Sequence, residues 1–137
     1  MELLAWRVRI AVLWIVIAVS MSAHMLLEVL LPGTLGDLLE GRIEDAEIAA
    51  WMVVMFALFW LVPLVMAFVT LVLRDRPNRY ANAGVGVIVT AMWVWGLIGH
   101  LVANKEMSAG VSLTTAVTVA AGLAILWHVW KWPEVNR

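Results

Sequence analysis

His24 and Glu28 stand four residues apart inside a long apolar run, Ile10 to Leu31, and His100 sits near the end of another. On a helix, positions i and i+4 share one face, so the carboxylate and the imidazole can share or exchange a proton near neutral pH. Ionisable groups within apolar helices are costly and usually face a partner or a wet cavity. These three side chains are therefore the first candidates for a functional site, with Lys105 the nearest candidate counter-charge.

Three uses fit this set. Glu28 can pair with His24, His100 or Lys105 and lock two helices together, which is architecture without turnover. It can instead be the exchangeable carboxylate of a small proton-coupled transporter, with His24 and His100 as relay or ligand contacts. The third use is a metal or b-type haem site with His24 and His100 as ligands, for which two histidines on two helices are a minimal signal. The expectation is no resident cofactor and no metal. His128 stands apart among Trp127, Trp130, Lys131 and Trp132, and suits a helix-end cation better than a ligand.

The composition says what must position these groups. Of 137 residues, 64% are hydrophobic and 14% charged, against about 45–50% and 25% in soluble domains. A net charge of -1 and a pI near 6.3 leave no broad basic surface, so nucleic acid is not an expected partner. The absence of cysteine excludes disulfides, thiolate nucleophiles and cysteine-based metal sites. No phosphate-binding glycine loop, HExxH or GxSxG occurs, so an enzyme is not expected.

Four apolar runs, Ile10 to Leu31, Ile48 to Leu73, Ala81 to Ala103 and Met107 to Trp130, each reach the roughly 20 residues a helix needs to cross a bilayer. The expected fold is all-α: residues 1–137 as one polytopic domain of four transmembrane helices in an antiparallel bundle. The first run exceeds the apolar core of a secretory signal and lacks a clean cleavage pattern, so it reads as a retained helix. Pro77 should force Arg76 out of helical space, with Asn78 capping the third span, making spans two and three antiparallel neighbours. Asn104 should end or cap at the next connection, and Pro32-Gly33 closes span one. In the first loop, Leu35, Leu38, Leu39 and Ile43 suggest a short amphipathic turn weakened by Gly36 and Gly41.

Arg7, Arg9, Arg74, Arg76, Arg79, Lys131 and Arg137 fall on one side of this topology, and Arg42 and Lys105 on the other. The positive-inside rule then puts both termini in the cytoplasm. The acidic first loop faces outward, and Glu28 and His100 lie at similar depths in the outer half, with Lys105 just above. The expected location is a bacterial plasma membrane, multi-pass, with lipid as the main partner and a homo-oligomer or another membrane protein as a further one.

Small residues mark expected contact faces: Thr114, Thr118 and Gly122 in one row of span four, Ala116, Ala120 and Ala124 in another, and Gly86, Thr90, Gly96 and Gly99 on span three. Spans three and four are the expected tight pair. Trp6, Trp51, Trp130 and Trp132 fall at span ends as interfacial anchors, whereas Trp60, Trp93 and Trp95 sit deeper and suit a packed core. Pro63 should kink span two.

Over nearly its full length the chain resembles a family of small four-span bacterial membrane proteins of unknown function. The resemblance is carried by Pro32-Gly33, by "RPNRYAN" from Arg76 to Asn82 with its following glycine-rich helix, and by "WKWP" from Trp130 to Pro133. It implies a fold and a membrane location, and no activity. Glu28 in helix one and "MWVWGLIG" from Met92 to Gly99 are also similar to features of the small multidrug resistance transporters, which carry an essential membrane-embedded glutamate. Glu28, however, lies near the end of its helix, and the charge bias fixes one orientation, unlike the dual-topology members of that family.

Overall fold

The computed structural model describes residues 2–43, 46–102 and 108–133. Its elements are α1 (Glu2–Val29), α2 (Thr34–Leu39), a minimal antiparallel pair β1 (Arg42–Ile43) and β2 (Ala46–Glu47), α3 (Ala50–Val72), α4 (Asp75–Val102) and α5 (Ala109–Trp130). The four long helices are each long and apolar enough to cross a membrane. The shortest, 22 residues, measures about 33 Å at 1.5 Å per residue. One end of the bundle gathers the described ends of the chain and the α3–α4 turn, and is termed the terminal end. The other carries α2, the β pair and the α4–α5 connection, and is termed the loop end.

Two helices begin well before their apolar runs. α1 is helical from Glu2, because the i to i−4 ladder does not require the apolar environment that defines a span. α4 starts at Asp75, six positions before Ala81. Arg76, expected to be expelled from helical space, is helical. Pro77 lies in the first turn, where the N–H it lacks would have no intrahelical acceptor. Asn78 is likewise inside the helix and not its cap, and its side chain is spent elsewhere. α3 runs through Pro63 as one helix. At α5 the cap is Ser108, whose Oγ accepts from the Val111 N–H at 3.2 Å; Asn104 lies outside the described residues. After α1 the chain reverses through Gly33 at φ 91°, a conformation that disfavours any residue with a Cβ. The amphipathic turn of the first loop is α2, with Leu35 and Leu39 exposed.

α1 is the hub of the bundle, packing most extensively against α5 and α3, while α4 packs mainly against α5. The tightest pairing is therefore α1 with α5, ahead of the expected pairing of spans three and four. The seam is regular. Buried Ile10, Trp14, Ile17, Met21 and His24 recur at alternating intervals of four and three on α1. Val111, Thr115, Thr118, Gly122, Ile125 and Val129 do the same on α5. Such spacing keeps one narrow stripe toward a neighbour inclined by about 20°.

Packing against α3 and α4 is one-sided along their length. The buried residues of α3 are Pro63, Met66, Ala67 and Thr70, and those of α4 are Asn78, Asn82, Gly86, Val89 and Thr90. All lie toward the terminal end. Among the described residues, none before Pro63 on α3 or after Thr90 on α4 is buried, so these helices are fully covered toward one end and, through Phe59 and Trp93, only partly covered toward the other.

That asymmetry corrects several expectations. Gly96 and Gly99 pack against nothing, since a Cβ at either would meet no atom within 4 Å. Ala116 and Ala120 are exposed and form no packing row. Trp60 and Trp95 face outward, Trp95 with 77% of its surface open; the buried tryptophans of the core are Trp14 and Trp132, the latter expected as an interfacial anchor, and Trp93 packs partly buried against them. The contact between α4 and α5 is real where Gly122 meets Thr90 and Gly86 meets Ile125 and Leu126.

Candidate functional site

His24 continues the α1 seam, one turn short of the loop end, and Glu28 is the next position in the same stripe. The Nε2 of His24 lies 3.3 Å from Glu28 Oε1, and its Nδ1 lies 3.0 Å from Thr114 Oγ1 on α5. Ser20, one turn earlier, donates to the Thr114 carbonyl at 2.9 Å. The imidazole meets the Trp93 ring of α4 edge-on, 4.9 Å between centroids. One side chain thus joins α1, α5 and α4.

The proton inventory of this cluster is constrained. The Thr114 hydroxyl has one hydrogen and lies 3.0 Å from the Val111 carbonyl and 3.2 Å from that of Gly110. Where it donates to its own helix, it accepts from Nδ1–H of His24. The Nε2 contact to Glu28 is then a hydrogen bond only if one further proton sits on that pair. Where Nε2 carries the imidazole proton, it donates to the Glu28 carboxylate, and Nδ1 accepts from Thr114. Glu28 retains 39% side-chain exposure against 11% for His24, so the carboxylate is the open end of this chain of proton-bearing groups.

Beside the cluster is a cavity of about 220 Å³. Its floor is His24 of α1 and Thr115 of α5, one side is Phe59 of α3, and the other is α4, from Met92 and Trp93 through Gly96 and Leu97 to His100. The structure thus brings His24 and His100 to one cavity. Glu28 does not line it but pairs with His24. Lys105 lies outside the described residues.

A second polar cluster, at the terminal end, has no counterpart among the expected site residues. Trp14 Nε1 donates to Asn82 Oδ1 at 2.6 Å, and Thr70 Oγ1 lies 3.0 Å from the same oxygen and 2.6 Å from the Met66 carbonyl. Asn82 Nδ2 donates to the carbonyl and Oδ1 of Asn78, and Asn78 Nδ2 donates to the Thr70 carbonyl at 2.7 Å. All four side chains are fully buried and all are bonded. Two asparagines at i and i+4 were the available signal, masked by the cap expected at Asn78. Beyond this knot, Arg7 of α1 pairs with Asp75 of α4.

His128 sits in the last turn of α5. Its Nδ1 bonds the Ala124 carbonyl at 2.7 Å, and its ring packs on Trp6, whose Nε1 donates to the His128 carbonyl. No group of three or more metal-type ligands occurs among the described residues. Both ring nitrogens of His24 already have partners, so the His24 and His100 pair is a poor fit for a metal or haem iron.

No curated protein and no solved structure matches the chain at a significant level. A family model described as a family of unknown function, DUF6326, matches residues 3–133. By that match, which leaves only a few residues at either end uncovered, the chain belongs to the DUF6326 family.

Proposed function

We propose that this is a multi-pass protein of a bacterial plasma membrane, with its terminal end in the cytoplasm, acting as an accessory or interaction protein without catalytic turnover. The observation that carries this reading is that His24 engages Thr114 of α5 and Glu28 of its own helix through both ring nitrogens, which makes His24 a pin between α1 and α5. The exposed apolar surfaces of α3 and α4 are available to lipid, a second copy or a membrane partner. The orientation is supported by the described basic residues Arg7, Arg9, Arg74, Arg76, Arg79 and Lys131, all toward the terminal end, against Arg42 at the loop end. Reporter fusions after Asp75 and after Lys105 test it, and an outside signal at Asp75 would reverse it.

A proton-coupled transporter is the second reading, favoured by the partly exposed carboxylate next to a buried imidazole. Proteoliposomes separate the two: an accessory protein gives no proton or amphipathic-cation flux above empty vesicles, whereas a transporter gives flux that Glu28→Gln abolishes. A haem or metal role is checked by the absence of a Soret band and of stoichiometric metal in the purified protein.

A further inference from the structure

The cavity between α3 and α4 has a size, a lining and an entrance that together restrict what it can hold. Its volume is about 220 Å³, and a dry apolar cavity of about 150 Å³ is enough to take benzene. One six-membered ring with small substituents fits, and a porphyrin macrocycle does not. The walls are aromatic or thioether, from Phe59, Trp93 and Met92, and suit the faces and edges of a flat ring.

The polar contacts are fewer. His24 has both nitrogens engaged and presents its ring to the space, and the Thr115 hydroxyl donates to the Val111 carbonyl at 2.9 Å. Among the described residues, His100, two residues from the loop end of α4, makes no side-chain hydrogen bond, and the buried Nε1–H of Trp93 has no partner, so these two groups have capacity to spare. Among the described residues the lining holds no permanently charged side chain. A plain acyl chain would leave His100 unused. The cavity is walled by Phe59 of α3 and by α4, two helices long and apolar enough to cross a membrane, so a ligand can arrive through the membrane and leave a tail in it.

We propose that this cavity is a binding site for a membrane-soluble quinone head group, with a ring oxygen hydrogen-bonded to His100, the ring against Phe59 and Trp93, and the tail leaving between α3 and α4. The proposal rests on the membrane placement given above and is independent of whether the protein turns over.

Gly96 supplies the test, because its wall is open and a side chain there would enter the cavity without striking the bundle. The full-length protein in lipid nanodiscs is titrated with decylubiquinone, following tryptophan quenching, beside Gly96→Leu and His100→Leu. Saturable binding of one quinone per chain is expected, weakened at least about tenfold by Gly96→Leu, with a smaller loss in His100→Leu. Non-saturable quenching, or equal binding to the Gly96→Leu protein with an unchanged melting temperature, overturns the proposal. Decanol competing as well as the quinone also overturns it, by making the cavity an alkyl-chain site. Photolabelling of the unmodified protein with an azidoquinone needs no variant: label at Phe59 or within 92–100 supports the site, and label confined elsewhere refutes it. If the fusions fail to report insertion while labelling still maps to the cavity, the membrane placement falls and the site stands.

Discussion

Asn82→Ala should be among the most damaging single changes in this chain, although Asn82 touches none of the groups first suspected of function. Its Oδ1 accepts from Trp14 and Thr70, and its Nδ2 donates to Asn78. Truncation leaves Trp14 Nε1 and Asn78 Oδ1 without these partners in a fully buried setting, while Thr70 keeps the Met66 carbonyl. A stranded buried group costs about 1–3 kcal/mol in soluble proteins, and interhelical side-chain bonds in membranes average about 0.6 with a ceiling near 1.7. With a small cavity added, the sum is about 2–4 kcal/mol, roughly 30- to 1000-fold in the folded-to-unfolded ratio. Reversible unfolding in mixed micelles, followed by circular dichroism, measures it. Asn82→Leu separates the cavity from the lost bonds, since Leu fills the space and still strands Trp14. Trp14→Phe in the Asn82→Ala background should add little beyond the lost ring edge, giving a coupling of about 1 kcal/mol or more. Costs below about 0.5 kcal/mol with full additivity would refute the idea that this knot fastens α4 to α1 and α3.

Gly122→Ala should cost about 1–3 kcal/mol in the same assay, because its Cβ would land within the van der Waals shell of the stiff Thr90 side chain. Gly110→Ala should cost less, since the atom it meets, Leu27 Cδ1 at 3.0 Å, is the end of a flexible chain. Ser108→Ala should lose about 1 kcal/mol through the α5 cap, and Ser108→Asp should retain most of it. Because the chain has no native cysteine, paired spin labels can be placed cleanly. Exposed Met55 and Ile98 near the loop end should give a broader distance distribution than exposed Leu71 and Tyr80 near the terminal end, and equal widths would count against one-ended fastening.

The helices were legible in the sequence because length and apolarity alone decide them. Their partners were not. Seen from the sequence, Gly96 and Gly99 resemble the small residues of a tight interface, and only the structure shows that they border open space. Trp14 lay inside an apolar run with nothing to distinguish it, and its importance comes from an asparagine 68 positions away. His24 and Glu28 were recognisable as a pair from their spacing. Thr114 was not recognisable as their anchor, since threonine in a small-residue row reads as packing. Pro77 and Asn78 misled for a common physical reason: both are typical of helix starts, but Asp75 and the carbonyl of Arg74, which accepts from the Asn78 N–H, begin the helix earlier.

The two polar clusters explain each other's form. A bundle whose four helices were bonded at both ends would have no room for a ring-sized space between α3 and α4. The buried asparagines and the Arg7–Asp75 pair hold those helices to α1 at the terminal end, and toward the loop end their hold on the α1–α5 seam passes to partly buried Phe59 and to Trp93 against His24. There the seam carries His24, Glu28 and Thr114 where the terminal half carries Ile10, Trp14 and Val129. A purely apolar seam would hold α1 to α5 equally well, since hydrocarbon packing is available at every position of both stripes. The imidazole of His24, placed where Phe59 of α3 and Trp93 of α4 are only partly buried, is what turns a packing seam into the floor of a cavity.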